Sequence, residues 1–172
     1  MGTIIAAFAG VGKSYVGKKY SNVIDLESTY FKWLDNSIST TTKENNKSCK
    51  IRGLNPEWPY NYVRDIMIER DSHDIVLIIL GHKRLKSEKI FEYFDEHEIE
   101  YCVARPNITA WPIIEKRLID NNVHPENIKQ IKDNFKVFIE EFSKPKYKQI
   151  IIEDGEFLED ALIKNGFLQK QD

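Results

Sequence analysis

The sequence has few of the residues that mark secreted, zinc-binding or membrane proteins. Only two of its 172 residues are cysteines. Cys49 lies in a polar segment and Cys102 in an apolar one, so we expect no disulfide framework and a reducing, cytoplasmic location. The four histidines show no metal-ligand spacing, which argues against structural zinc. No apolar run approaches the roughly 20 residues of a membrane span, and no basic stretch precedes the apolar N-terminus as in a signal peptide.

The chain also lacks an excess of either charge. It has 25 lysines and arginines against 27 aspartates and glutamates, a formal net charge of -2. Bulk charge therefore does not indicate a nucleic-acid binder. Hydrophobic residues make up 41% and charged residues 30% of the chain, a composition typical of folded globular proteins. The length suits one domain with a single core, which we assign to residues 1–172.

Apolar and polar segments alternate along the chain in the order of a parallel α/β protein. We predict strands over residues 3–8, 23–25, 74–80, 100–104 and 149–152. We predict helices over 13–20, 60–70 and 87–96, two more within 106–142, and one after residue 155. This alternation predicts a sheet covered by helices on both faces, with ligands bound at the carboxyl ends of its strands. The polar segment 35–55 has no periodicity and is predicted to be a mobile loop or substrate-side insertion.

The most specific motif is Ala-Phe-Ala-Gly-Val-Gly-Lys-Ser at residues 7–14, between a predicted strand and a predicted helix. It predicts a P-loop, in which Gly10 and Gly12 let backbone N–H groups turn around a phosphate. Lys13 would reach the β- and γ-phosphates of ATP, and the Ser14 hydroxyl would bind Mg²⁺. Ala7 stands where the motif usually has its first glycine. The residues predicted to hold the nucleotide are Ala9, Gly10, Val11, Gly12, Lys13, Ser14 and Tyr15.

An acidic pair, Asp25 and Glu27, ends the second predicted strand. Alternate residues of an extended segment point to the same side, so both carboxylates are expected to face the P-loop. Asp25 is predicted to hold the metal ion with Ser14, and either acid is a candidate to accept the proton of a substrate hydroxyl. A solvated acidic pair remains the alternative.

The segment after the buried strand carries glycine and lysine but no acid. A motor or switch NTPase would have an acidic metal ligand there, so its absence disfavours those classes. Gly81 would let a substrate approach the backbone closely. Lys83 is a candidate phosphate contact, with a solvated basic face formed with Arg84, Lys86 and Lys89 as the equal alternative.

Two arginines are candidates to stabilise phosphoryl transfer. Arg117 lies in a predicted helical flap over residues 106–124, and Arg105 follows the fourth strand. Guanidinium groups stabilise the charge that spreads over the phosphoryl oxygens, and a closing flap excludes water. We predict Arg117 as the flap residue and Arg105 as a second nucleotide contact. For each, an ordinary surface arginine is the alternative.

The candidate acceptor-side residues are Trp58 and Arg64. Trp58 lies between two prolines, where it would either stack on a base or pack locally. Arg64, on the helix that follows, would meet a substrate phosphate.

The P-loop at residues 10–14, the acids at 25 and 27, Gly81 and Arg117 together resemble the small P-loop kinases of the nucleoside and nucleotide kinase group. That group includes shikimate- and gluconate-type kinases, whose acidic pair binds metal and substrate. The resemblance implies a three-layer P-loop NTPase fold with a five-stranded parallel sheet in the order 2-3-1-4-5 and a helical lid over 106–124. It implies ATP and Mg²⁺ as cofactors, with the base near residues 153–155. The composition resembles that of phage or low-GC bacterial proteins.

These observations lead to three functional hypotheses. The first is an ATP-dependent kinase for a small acceptor, foremost a (deoxy)nucleoside monophosphate. The second is a kinase for polynucleotide 5′-ends or other small-molecule hydroxyls, although the net charge disfavours a nucleic-acid partner. The third is a nucleotide-binding module without catalysis. No membrane partner is expected, and the sequence does not indicate an oligomeric state.

Overall fold

The computed structural model describes residues 1–34, 53–80 and 88–170. Its strands are β1 (Thr3–Ala7), β2 (Val23–Asp25), β3 (Ile75–Ile79), β4 (Tyr101–Pro106) and β5 (Lys148–Ile152). They form one parallel sheet in the order β2-β3-β1-β4-β5, with helices on both sides. The predicted fold class and strand order are confirmed. The predictions for residues 35–52 and for Gly81 and Lys83 lie outside the described residues.

Seven α-helices and one 3₁₀ helix are seen in the described ranges. They are α1 (Lys13–Lys19), α2 (Thr29–Lys32), α3 (Tyr60–Ser72), α4 (Glu88–Glu96), a 3₁₀ helix (Ile108–Ala110), α5 (Trp111–Asp120), α6 (Pro125–Phe142) and α7 (Leu158–Lys164). None of these helices is long and apolar enough to cross a membrane.

The core lies on both faces of the central strands. Ile4 and Ile5 of β1 are fully buried on opposite faces, because successive strand residues point to opposite sides of a sheet. On one face, the apolar stripe of α6 packs against the end of β1, where the ring of Phe8 lies 5.5 Å from that of Phe135 and 4.8 Å from that of Phe138. This packing holds β1 rigidly, and with it the turn that follows.

The fourth strand extends two residues further than predicted. Arg105 and Pro106 pair with Ile151 and Ile152 of β5, whereas the sequence pattern placed them after the strand. The pairing with β1 ends at Ala104, so beyond that residue β4 has β5 as its one paired neighbour. A proline lacks the N–H that a second neighbour would need, and it is therefore tolerated there.

Helix α3 holds the segment that follows β2. The buried Tyr62 hydroxyl donates to the Leu26 carbonyl at 2.6 Å, and the Asn61 amide donates to the Phe31 carbonyl at 2.8 Å. Burial raises the pKa of Tyr62 well above its ordinary value, helped by the negative charges of Glu27 and Asp25. Tyr62 therefore remains a proton donor and anchors the backbone that carries both acids.

We expect Tyr62→Phe to lower the free energy of unfolding by about 1–3 kcal/mol, since it leaves the Leu26 carbonyl without its buried donor. Denaturant unfolding measures this change. Tyr60→Phe is the matched control, because Tyr60 lies on the same helix with 64% of its surface exposed. Equal stability of the two variants would contradict the anchoring role of Tyr62.

Candidate functional site

The turn between β1 and α1 has the backbone conformation that the motif predicts. Gly10 has φ +74° and Gly12 has φ +102°, values that L side chains rarely adopt. Ala7 ends β1 and is fully buried. Among the described residues other than glycine, positive φ occurs only at Glu98 and Asn122. The backbone at Ala7, where the motif usually has its first glycine, therefore does not need a positive φ, and alanine is tolerated there.

Two other segments pack onto this turn. A Cβ at Gly10 would lie 3.2 Å from Cδ2 of Leu118 on α5, and one at Gly12 would lie 3.5 Å from Cδ1 of Phe157. The Leu158 N–H also donates to the Val11 carbonyl at 2.8 Å. The turn is thus bounded by α5 on one side and by the start of α7 on the other.

Lys13 is the half-buried cation of the turn. Burial lowers its pKa, and the negative charges of Asp25 and Glu27 oppose that shift. Coulomb interactions are stronger where water is excluded. The lysine charge is therefore held against two carboxylates at the carboxyl ends of the strands, where an anionic ligand would compete for it.

Ser14 and Asp25, which were predicted to share a metal ion, are in direct contact. The Ser14 hydroxyl donates to Oδ2 of Asp25 at 2.8 Å. The other oxygen, Oδ1, is buried and has no hydrogen-bond partner. A buried carboxylate oxygen without a partner is costly, and a hard cation such as Mg²⁺ binds oxygen ligands of this kind through one or two carboxylates plus substrate phosphates. The donor set fits Mg²⁺.

Glu27 occupies a more open position than Asp25. It is exposed, and its Oε1 accepts hydrogen bonds from the Thr29 N–H at 3.1 Å and the Thr29 hydroxyl at 2.7 Å. Its charge nevertheless raises the pKa of Lys13. Glu27 thus serves the start of α2 and contributes to the field at the turn.

A cleft of about 670 Å³ adjoins the turn. Its walls come from the P-loop, from α5 with the residues that follow it, and from the start of α7. The lining residues are Gly10, Gly12, Lys13, Ser14, Tyr15, Arg117, Leu118, Asn121, Val123, Phe157, Glu159 and Asp160. The cleft therefore brings together five of the seven residues predicted from the motif and the predicted flap arginine, whereas Ala9 and Val11 do not line it.

Arg117 lies at one edge of this cleft. Its Nη2 donates to the carbonyls of Glu156 at 3.0 Å and Gly155 at 3.4 Å. Its guanidinium lies 3.7 Å from the centroid of the Phe157 ring, a cation–π contact. Burial lowers its pKa, and Asp160 opposes the shift. Arg117 thus connects α5 to the segment after β5.

Arg105 is placed differently from its prediction. Its Nε and Nη2 donate to Oε1 of Gln149 at 2.9 and 2.6 Å, and it is not among the residues that line the cleft. Because Arg105 lies within β4 rather than after it, its side chain forms hydrogen bonds to a residue of the neighbouring strand β5. The structure gives no support for Arg105 as a nucleotide contact.

The acceptor-side predictions also change. Trp58 has only 6% of its surface exposed, and its ring stacks on Tyr62 with centroids 5.5 Å apart. It is part of the core and has no open face for a base. Arg64 is largely exposed on α3, where it pairs with Glu57 at 4.0 Å, and it does not line the cleft beside the turn.

Several cleft residues were not predicted from the sequence. The base was expected near residues 153–155, but Glu153 and Asp154 accept hydrogen bonds from Asn107 and Thr109, and the cleft wall begins at Phe157. Phe157, an aromatic residue directly before the predicted last helix, was a sequence signal that could have pointed to this wall. Glu159 gave no such signal, because its contacts with Lys19 at 2.7 Å and the Tyr20 hydroxyl at 2.6 Å join segments far apart in sequence.

Comparison with solved structures finds the same fold. The chain is similar to the tunicamycin resistance protein of Deinococcus radiodurans, with 10% identity, a TM-score of 0.56 and full coverage of both chains. It is also similar to a gluconokinase from Sinorhizobium meliloti 1021, with 14% identity, a TM-score of 0.46, and coverage of 94% of this chain and 87% of that one. At such identities the first likeness shows the fold alone. No protein-family model and no curated protein matches the chain.

Proposed function

We propose that this protein is a cytoplasmic phosphotransferase that moves the γ-phosphate of ATP to a small acceptor with the help of Mg²⁺. The observation that carries the proposal is the contact of Ser14 with Asp25 beside the half-buried Lys13. A hydroxyl, a carboxylate with one orphaned oxygen and a lysine at one glycine turn are the groups that a metal–triphosphate needs. The glycine conformations at residues 10 and 12 support the same reading.

The side chains have distinct roles in this proposal. Backbone N–H groups of residues 10–14 hold the phosphates, and Lys13 stabilises the charge on the β- and γ-phosphates. Ser14 and Asp25 hold Mg²⁺, which supplies positive charge to the same oxygens when it is bound. Arg117, which lines the cleft beside the turn, would stabilise negative charge on the nucleotide.

The proposed acceptor is a (deoxy)nucleoside monophosphate, which rests on the resemblance to the nucleoside and nucleotide kinase group. A phosphate acceptor needs no strong base, so the acids would then mainly organise the metal. A small-molecule hydroxyl is the second candidate. It is favoured by one observation, the exposed carboxylate of Glu27 two residues after the end of β2 at Asp25, because a carboxylate can accept the hydroxyl proton.

A panel of acceptors tests the proposed function. ATP consumption and product formation are measured with nucleosides, nucleoside monophosphates, sugar acids and short oligonucleotides. We expect acceptor-dependent ADP formation with a nucleoside monophosphate. Turnover with a hydroxyl acceptor alone would select the second candidate, and salt-sensitive turnover with oligonucleotides would indicate a polynucleotide kinase. Tight ATP binding without turnover on any acceptor would favour a module without catalysis.

We expect Arg117→Ala to lower kcat/KM for ATP roughly 10–100-fold, because hydrogen bonds to charged groups contribute about 1.5–3 kcal/mol. Steady-state kinetics with varied ATP measures the effect. Lys116→Ala is the matched control, since Lys116 is exposed on the same helix and pairs with Asp120. If both variants kept the wild-type kcat/KM, Arg117 would have no part in nucleotide binding.

A further inference from the structure

Helix α1 has a glycine in its interior, a position at which glycine weakens a helix. Gly17 is the fifth of its seven residues. Glycine destabilises a helix interior relative to alanine because it loses more backbone freedom on folding. A glycine in this place therefore calls for a packing or functional reason.

The reason lies in how closely β2 approaches the helix. A Cβ on Gly17 would lie 2.9 Å from Cβ of Asp25, 3.1 Å from its backbone N and 3.6 Å from its Cα. These atoms belong to the backbone or are fixed to it, so no side-chain rotation would relieve the clash. Any larger residue at this position must push the end of β2 away from α1.

Gly17 lies on the face of α1 that carries Ser14. Residues three apart are neighbours on a helix surface, and both of these residues meet Asp25. Ser14 meets it through the 2.8 Å hydrogen bond to Oδ2, and Gly17 meets it through the close backbone approach. The distance from the helix to the strand therefore also sets the distance from the hydroxyl to the carboxylate.

We propose that Gly17 is a positioning residue for the metal site, because its missing side chain lets Asp25 come within reach of the ion that Ser14 also binds. This inference rests on the metal role given to Ser14 and Asp25 in the proposed function. Gly17 itself takes no part in the chemistry. A single methyl group added at position 17 would separate two oxygen ligands that the fold otherwise brings together.

The test is nucleotide binding measured with and without Mg²⁺, which does not require turnover. Calorimetric titration of a non-hydrolysable ATP analogue gives the strengthening of binding that Mg²⁺ produces. In Gly17→Ala we expect the apparent Mg²⁺ affinity to fall about 10–100-fold, as when groups that orient metal ligands are changed, while metal-free binding stays at the wild-type value. Lys18→Ala is the control, since Lys18 is exposed on the same helix and should leave both values unchanged.

Thermal unfolding gives a second readout whose sign separates the alternatives. Helix propensity alone predicts that Gly17→Ala raises Tm, whereas the clash with Asp25 predicts that it lowers Tm. A double-mutant cycle with Asp25→Gly identifies the partner, because that change removes the nearest clashing atom. The loss of Tm caused by Gly17→Ala should then be smaller in the Asp25→Gly background than in the wild type.

The outcomes are distinguishable. Wild-type Mg²⁺ dependence in Gly17→Ala, a raised Tm, or an equal Tm loss in both backgrounds would overturn the role of Gly17 while leaving the proposed function intact. A wild-type protein whose nucleotide binding gains nothing from Mg²⁺ would instead contradict the metal role itself, and the inference with it.

Discussion

Replacing Lys13 with methionine is expected to lower kcat for phosphate transfer on the order of 10²–10³-fold, the cost of removing one preorganised group that stabilises developing charge. Methionine keeps the length and much of the volume of the side chain but removes the charge. Lys13 is half-buried, and the negative charges of Asp25 and Glu27 oppose the lowering of its pKa by burial. Without the cation, two carboxylates face the incoming phosphates with no opposing charge on that side chain.

Both steady-state rates and nucleotide affinity report on this change. We expect ATP binding to weaken with and without Mg²⁺, because the lysine contact does not depend on the metal. Lys18→Met is the matched control, since Lys18 is exposed on the same helix. Transfer at the wild-type rate by the Lys13 variant would contradict the assignment of the turn as a phosphate site.

Asp25→Asn is expected to lower kcat by a similar factor, on the order of 10²–10³-fold, through a different cause. Asparagine retains the shape of the side chain and an oxygen that can accept the Ser14 hydrogen bond, which in the wild type reaches Oδ2 of Asp25 at 2.8 Å. It removes the negative charge that makes the orphaned Oδ1 a good ligand for a hard cation. The Mg²⁺ concentration for half-maximal rate should rise, while metal-free nucleotide binding should persist.

Glu27→Gln is the informative companion to this variant. If the acceptor is a phosphate, Glu27→Gln should retain most of the activity, because no base is required. If the acceptor is a hydroxyl, loss of rate in Glu27→Gln without a change in Mg²⁺ dependence would identify Glu27 as the base. Unchanged rates of Asp25→Asn on every acceptor would exclude both the metal role and a base role for Asp25.

The sequence predicted the parts of the site that are local in the chain. Residues 10–14 form a turn whose glycines must adopt positive φ, and this requirement is visible in the motif itself. The expectation that Asp25 and Ser14 lie at one site followed from the alternation of strands and helices, since parallel strands present their carboxyl ends at one edge of the sheet. The strand order is confirmed.

The remaining features depend on contacts that no local pattern encodes. Arg105 was expected beyond the end of its strand, but pairing with β5 continues past Ala104 and directs it to Gln149. Trp58 was a candidate for base stacking, and its burial against Tyr62 follows from the packing of α3. Gly17 carries no motif signal, because its role depends on a strand that comes eight residues later, where Cβ of Asp25 would lie 2.9 Å from a Cβ added at Gly17.

The most direct test of phosphate transfer at this site is ³¹P NMR of ATP incubated with the protein, Mg²⁺ and the acceptor panel. We expect the γ-phosphate signal of ATP to be replaced by a phosphoryl signal on the acceptor, with ADP formed in equal amount. We expect Asp25→Asn to suppress both changes. Release of inorganic phosphate alone, or unaltered ATP in the presence of every acceptor, would contradict the claim that this fold and this site perform phosphate transfer.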